Sequence, residues 1–396
     1  MRLLHTSDWH LGRMLHGVDL RDAQRAALDQ LVDLVDEHDV DAVVVAGDVY
    51  DRAVPPVDSV RLLAETLTRL VDRVPVILLS GNHDSADRLG FGAQLFRDGL
   101  HVRTSVTTVG EPVELADEHG PVLVYPLPFL DPDLTRTVLS DGDGPLPRSH
   151  EAVLGAAMRR VRADLARRGR GGSGTPRSVV SAHAFVVGGG DVERSESERD
   201  IRVGGVDSVP AAVFAGVDYV ALGHLHGAQE PTSPDGRTRL RYAGSLLRYS
   251  FSEAAQTKSV TLVELGPDGV SSVSAAPIEQ PRGMSTLSGE LDELLSSSRY
   301  DNAEQDWVQV SVTDPARPAE MVSRIRARFE HALVVRHVPA SGPLVARATT
   351  APNAAADPVE VAESFVRFVT GGDATSAELD AFRESVEQVQ RAERAV

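Results

Sequence analysis

Ala42-Val43-Val44-Val45-Ala46-Gly47-Asp48-Val49-Tyr50-Asp51 passes in one step from a run of small and β-branched residues to a glycine and a carboxylate. An apolar run of this kind predicts a buried strand, parallel to its neighbours and covered on both faces. Gly47 permits a sharp turn, which sets Asp48 at the strand's carboxyl end, the edge where open α/β sheets bind ligands. Other runs end alike: Leu3–Ser7 leads into Asp8-Trp9-His10, Val76–Ser80 into Gly81-Asn82-His83-Asp84, and Tyr219–Leu222 into Gly223-His224-Leu225-His226. A fifth, Ser178–Ser181, ends near His183. The pattern predicts that carboxylates, an amide and imidazoles from five strand ends meet on one rim. A single aspartate, Asp48, between two metal ions accounts for the set.

Outward from this stretch, residues 1 to about 100 alternate strand and helix. Leu28, Leu31, Val32 and Val35 repeat at helical spacing between the first two strands, and Pro55-Pro56 opens a second helix carrying Val60, Leu63, Leu67 and Leu70. That alternation predicts βαβ units and a parallel sheet. Short β-like runs at Val106–Val109 and Val122–Tyr125 suggest a second sheet, and His150–Arg168 reads as a helix. The charged stretch Asp191–Arg202 reads as a mobile loop beside the site, and Leu240–Ala243, Val260–Leu265 and Val270–Ala275 as antiparallel strands.

Prolines near 277–281 mark a boundary. The division that follows is a dimetal domain at 1–280, a small α+β domain at 281–340, an Ala/Pro/Thr-rich linker at 341–357 and terminal helices at 358–396. Val361, Phe365 and Phe368 form one helical stripe, and Leu379, Phe382, Val386 and Val389 another.

Composition narrows the class. The 396 residues suffice for two or three domains, and the 42% hydrophobic content is ordinary for a soluble protein. No run approaches the roughly 18 apolar residues of a membrane span, so no membrane association is expected. A strand beginning by residue 3 leaves no room for a signal peptide, and a cytoplasmic location is expected. With no cysteine, thiolate zinc sites, disulfides and Cys nucleophiles are excluded. The net charge of −18 argues against tight, unassisted DNA binding, though not against cleaving DNA that a partner holds.

Two metals about 3.5–4 Å apart can hold a phosphodiester and stabilise both oxygens of an in-line displacement. Asp, Asn and His are suitable ligands. Asp8 and His10 can share one ion with His226; Asn82, His183 and His224 can take the other, with Asp48 bridging. His83, beside Asn82, is placed to donate a proton to the leaving oxygen, with Asp84 as its hydrogen-bonding partner. A lone His is more often packed than a ligand, but five such motifs in order, each after an apolar run, are not explained by packing. Trp9 reads as core or site wall, His5 and His16 as structural or exposed, and Arg199 and Arg202 as solvated charges within reach of phosphate.

The ordered set resembles that of the calcineurin-like metallophosphoesterases, and within them the SbcD family of nuclease subunits. The resemblance is carried by His5–Gly12, Val45–Asp51, Ser80–Ser85, Ala221–His226, Tyr242–Ser245 and Ser250–Glu253, and spans residues 1 to about 340. It implies a four-layer α/β/β/α sandwich with a DNA-facing cap domain and C-terminal helices. It further implies a manganese-dependent DNA nuclease, with two divalent ions, acting on double-strand ends, hairpins and single strands. An ATP-binding coiled-coil partner of the SbcC type is implied, with a homodimer inside a heterotetramer. Asp51 stands where some relatives carry a further His, so no role for that His passes to this chain.

Dimer candidates are the apolar residues after the second and third site loops: Val57, Val60, Leu63 and Ala64, then Leu89, Phe91, Leu95 and Phe96. The stripes of Phe365, Phe368, Leu379, Phe382 and Val386 are expected to dock the partner. Two other readings share parts of this sequence. A small-molecule phosphodiesterase or phosphatase would use the same core but has no need of a cap and terminal helices. A non-catalytic scaffold would be expected to have lost a ligand, and all seven are present with His83.

Overall fold

Ala42–Val45 is buried along its whole length and runs parallel to Arg2–Thr6 on one side and Val76–Leu79 on the other. A computed structural model describes residues 1–96, 99–169, 176–190, 192–201, 208–339, 358–370 and 373–394, the side chains of 358–360, 368–370 and 386–394 excepted. The first sheet has six strands in the order Gly269–Pro277, Ser259–Gly266, Arg2–Thr6, Ala42–Val45, Val76–Leu79 and Leu100–Arg103. The second has five: Arg239–Tyr242, Tyr219–Gly223, Arg177–His183, Gly120–Leu127 and Val113–Asp117.

Period-two alternation assigns each strand residue to one of two cores. Leu3, Val44 and Ile77 of the first sheet meet Val122, Val124, Val179 and Ala221 of the second. On the outer face of the first sheet, Leu4, Val43, Val45 and Leu78 pack on the helices Arg21–Glu37 and Val57–Val71 through Leu28, Leu31, Val32 and Leu62. Beyond the second sheet, Leu123, Tyr125, Val180 and Val220 pack on helix His150–Gly169 through Val153, Ala157 and Val161. Helix, sheet, sheet and helix are thus stacked in four layers. The β-like run at Val106–Val109 is instead a short 3₁₀ turn over Val106–Thr108, because the Ser105 hydroxyl accepts from Thr107 N at 3.2 Å and closes the turn locally.

After Pro281, strands Met284–Gly289, Trp307–Val312 and Ala332–His337 run parallel, with helices Leu291–Ser296 and Met321–Arg328 between them. This small layer has its own core around Leu294, Val310 and Ile325. Met284, Trp307, Leu333 and Val334 pack against the core of the first sheet, so Met1–His337 forms one compact unit.

Val338–Val396 is a second unit. In it helices Pro358–Thr370 and Ser376–Arg394 are described. The second starts with a capping box: Thr375 N donates to Glu378 Oε2 at 2.8 Å, and Glu378 N returns to Thr375 Oγ1 at 3.4 Å. Val361 and Phe365 are exposed, and Leu379 and Phe382 are partly buried. The linker 341–357 and the side chains of Phe368, Val386 and Val389 lie outside the described residues. No helix among the described residues is long and apolar enough to cross a membrane.

Candidate metal centre

The loops after the strands hold one another by backbone contacts. Asp8 N donates to Gly47 O at 3.1 Å and His10 N to Asp48 O at 3.0 Å, while His224 N donates to both carboxylate oxygens of Asp8 at 3.1 Å. Among the described residues, seven non-glycine residues have positive φ, and four of them are Asp8, His10, Asp48 and His224. L-residues rarely adopt this region, each at about 1–3 kcal/mol, and such strain collects at functional sites. Gly47 is required twice over: its φ is 89°, and a Cβ there would stand 2.6 Å from His183 Nδ1.

All seven expected ligand residues converge. His10 Nε2 lies 3.0 Å from His226 Nε2, His183 Nε2 2.9 Å from Asn82 Oδ1, and His224 Nδ1 3.1 Å from the same oxygen. Asp48 is central, with Oδ2 at 3.4 Å from His183 Nε2, 3.7 Å from His10 Nε2 and 4.0 Å from His83 Nε2. Asp8, His10 and His226 offer ligand atoms within 4.8 Å of one another, as do Asp8, Asp48 and His183.

This donor set fits cations. Two imidazole nitrogens face each other across 3.0 Å, and His10 Nδ1 and His224 Nε2, ring nitrogens able to present a lone pair, are buried without a hydrogen-bond partner. Buried polar atoms are rarely left so. Burial pushes the Asp8 carboxyl up to about 7 and drives His10, His224 and His226 below the ordinary imidazole range. For Asp48 burial is outweighed by the His183, His10 and His83 rings, which hold its carboxyl well down. Burial likewise opposes charge on His183, but Asp48 and then Asp8 raise it to about 9. Asp48 held ionised, Asp8 resisting ionisation and three imidazoles resisting protonation form a site that an added cation would stabilise.

His83 sits at the open edge, 13% exposed, its Nδ1 2.8 Å from Asp51 O and its backbone N–H donating to Asp48 Oδ1 at 2.8 Å. The expected pairing of Asp84 with the His83 ring is not what forms. Asp84 Oδ2 accepts from Gly81 N at 2.9 Å and Val49 N at 3.1 Å, and Oδ1 from Tyr50 N at 2.9 Å. Three backbone donors occupy the carboxylate, so Asp84 staples the Asn82–His83 turn to the Asp48 loop.

Further support comes from residues outside the expected ligand set. Glu253 and Lys258 are buried behind His226, beside Ser195 and Ser197. The stretch read as a mobile loop is therefore pinned at its centre; Arg199 Nη1 reaches Asn82 O at 3.3 Å, and Arg202 lies outside the described residues. Arg13, not foreseen, stacks over Tyr249 and donates to Ser197 O at 2.7 Å. Trp9 is buried, its Nε1 on Thr6 Oγ1 at 2.9 Å. His5 is a core residue bonded to Tyr219 and Leu222, and His16 stacks on Phe251.

Of the dimer candidates, Val60 and Phe91 are exposed, Leu89 is partly buried, and they border an apolar cavity of about 520 Å³. Leu63 lines the same cavity from below: at 6% exposure it belongs to the core of the first sheet, because its helix turns that face inward.

Residues 1–228 match the calcineurin-like phosphoesterase family, and the chain belongs to it. Residues 280–370 match a second family, SbcD_C, the type 5 capsule protein repressor C-terminal domain. Similar solved structures include TT1561 of Thermus thermophilus, at 15% identity over 70% of this chain and 99% of that one, TM-score 0.41. A dimetal phosphatase from Danio rerio matches at 14% identity over 71% and 99%, TM-score 0.42. Phosphopantetheinyl hydrolase from Mycobacterium tuberculosis matches at 16% over 62% and 89%, TM-score 0.34.

Proposed function

We propose that this phosphoester hydrolase is a DNA nuclease, an exonuclease on double-strand ends and an endonuclease on hairpins and single strands, working with an ATP-binding coiled-coil partner of the SbcC type. The observation that carries the chemistry is the buried cluster of Asp8, His10, Asp48, Asn82, His183, His224 and His226 with His83 at its open edge. The SbcD_C match over residues 280–370 supports a macromolecular substrate and a partner over a small phosphoester.

On this reading Asp8, His10 and His226 would hold one cation and Asn82, His183 and His224 the other, with Asp48 serving both. When bound, two divalent ions, here manganese, supply Lewis acidity toward the phosphodiester oxygens. The chain's own residues do the rest. His83, with Nδ1–H donated to Asp51 O at 2.8 Å, has its Nε2 directed at the site, where it holds a proton and passes it to the departing sugar oxygen. The His83 backbone N–H keeps Asp48 from rotating, and Asp84 keeps His83 in place.

The deciding experiment incubates the full chain with linear duplex, hairpin and single-stranded DNA, with and without Mn²⁺, and with and without an SbcC-type subunit and ATP. Manganese-dependent cleavage of single strands by the chain alone, and ATP-stimulated duplex processing with the partner, are expected. Turnover of small phosphodiesters with no cleavage of any DNA overturns the reading.

A further inference from the structure

Behind His226 lies a buried charge pair that neither the cation site nor the fold accounts for. Glu253 is 0% and Lys258 2% exposed, and Lys258 Nζ meets Glu253 Oε2 at 2.7 Å. Breaking even with an apolar pair is the best such a pair commonly achieves in stability, so its retention asks for another role. The contacts supply one. His226 Nδ1 faces Ser197 Oγ at 2.6 Å and Glu253 Oε1 at 3.3 Å. Glu253 Oε1 also accepts from Ser195 Oγ at 2.7 Å and from Ser197 Oγ. A carboxylate only accepts, and the Ser197 proton is directed to it, so Ser197 Oγ presents a lone pair to the ring. Nδ1 therefore carries the hydrogen, and Nε2 is left with its lone pair, 3.0 Å from His10 Nε2. Lys258 holds the same residue from its other end, donating to His226 O at 2.8 Å and to Ser245 Oγ at 3.0 Å.

We infer that Glu253, gripped by Lys258 and relayed through Ser197, is the positioning residue of His226: it fixes the ring's tautomer and aims Nε2 into the cation site. The inference rests on the dimetal reading above. Carboxylates behind ligating imidazoles orient them and set metal affinity, with losses of about 10–100-fold when they are removed.

Two full-length double variants separate positioning from packing. Glu253→Leu with Lys258→Met leaves an apolar pair and no acceptor; Glu253→Gln with Lys258→Met keeps the acceptor oxygen. Mn²⁺ titration followed by the free-ion electron paramagnetic resonance signal counts ions and affinities. The Gln/Met variant is expected to bind both ions within about threefold of the parent, and the Leu/Met variant to weaken one ion by about 10–100-fold while keeping the other. Parent-like affinity for both ions in a folded Leu/Met variant overturns the inference. Should Leu/Met not fold, nitrogen-15 spectra of the metal-free parent, with His226→Gln for assignment, decide independently. A proton on Nδ1 supports the inference and one on Nε2 overturns it. A parent that binds no Mn²⁺ defeats the dimetal reading, while the tautomer still reports on the positioning.

Discussion

Asp84→Ala removes the acceptor of three backbone donors, Gly81 N, Val49 N and Tyr50 N, each within 3.1 Å. All three lie where the Asp48 loop meets the Asn82–His83 turn. A buried donor left without a partner costs about 1–3 kcal/mol, but three that share one carboxylate relax together, so their losses do not simply add. The three bonds together are worth about 3–5 kcal/mol, in the upper range for a point substitution. Asp84→Asn gives a finer test. With its oxygen in the Oδ2 position it keeps the bonds to Val49 and Gly81 and sets an amide donor against Tyr50 N, for a loss of about 1–3 kcal/mol.

Urea unfolding of the metal-free chain, followed by tryptophan fluorescence, measures both, with cations absent so that binding does not mask the loss. Burial, and then Asp48, push the Asp84 carboxyl up to about 7, so at pH 8 its charge opposes folding in the parent; Ala and Asn relieve that cost equally, and the difference between the two variants reports the backbone bonds. A partner of the His83 ring would behave differently: Asp84→Asn would lower turnover and leave stability intact. An Asp84→Ala chain within about 0.5 kcal/mol of Asp84→Asn, the ordinary range for surface changes, refutes the staple.

Asp48→Ala is expected to lose both cations and all hydrolysis, whereas His83→Ala keeps the cations and loses about 10²–10⁴ in rate; metal analysis with turnover separates them, and the reverse pattern exchanges their roles. Asp117 accepts from the Met1 ammonium and the Arg177 guanidinium, and Arg177 first, against burial, holds its carboxyl below the usual range. Its stabilisation is present above about pH 4, the unfolded value, and is lost as pH falls through the folded one. Asp117→Asn should therefore lower Tm clearly more at pH 7 than at pH 2, and equal losses at both would exclude the ion pair. Val60→Glu and Phe91→Glu, at exposed positions, should reduce self-association in sedimentation if the cavity face pairs two copies, whereas Leu63→Glu should unfold the chain by burying a charge. Ending the chain at His337, the limit of the first compact unit, should leave single-strand cleavage unchanged and abolish ATP stimulation by the partner; full stimulation would remove the terminal helices from docking.

The parallel sheet and the site rim were legible because each expected ligand follows an apolar run, and a strand's end is visible in sequence where that run meets a polar residue. Less visible was the sharing of one strand between two cores. Leu3 faces the second sheet and Leu4 the helices, yet both are leucine. Asp84 was assigned to His83 by adjacency. Successive side chains in a turn diverge, and the carboxylate went to three backbone donors instead. Ser197, Glu253 and Lys258 carry no spacing signal, since they reach His226 from segments 27 to 32 residues away. The hints were Glu253 closing the Ser250–Glu253 stretch that carries the family resemblance, and Lys258 standing immediately before a strand whose first residues are buried.

The positive φ angles explain why this rim depends on its neighbours. Asp8, His10, Asp48 and His224 each occupy a conformation that an isolated turn would leave. What holds them is mutual: the Asp8 and His10 amides are fixed on the Gly47 and Asp48 carbonyls, the His224 amide on Asp8, and the Asp48 carboxylate on the His83 amide. The two sheets supply the fixed spacing that makes these bonds possible, because each loop leaves a strand whose register is set by its partner. The strain is thus carried by strand pairing and by the buried layer between the sheets. The same bonds bring two carboxylates, an amide and four imidazoles together, and the repulsion and desolvation of that assembly are what a pair of divalent ions would relieve.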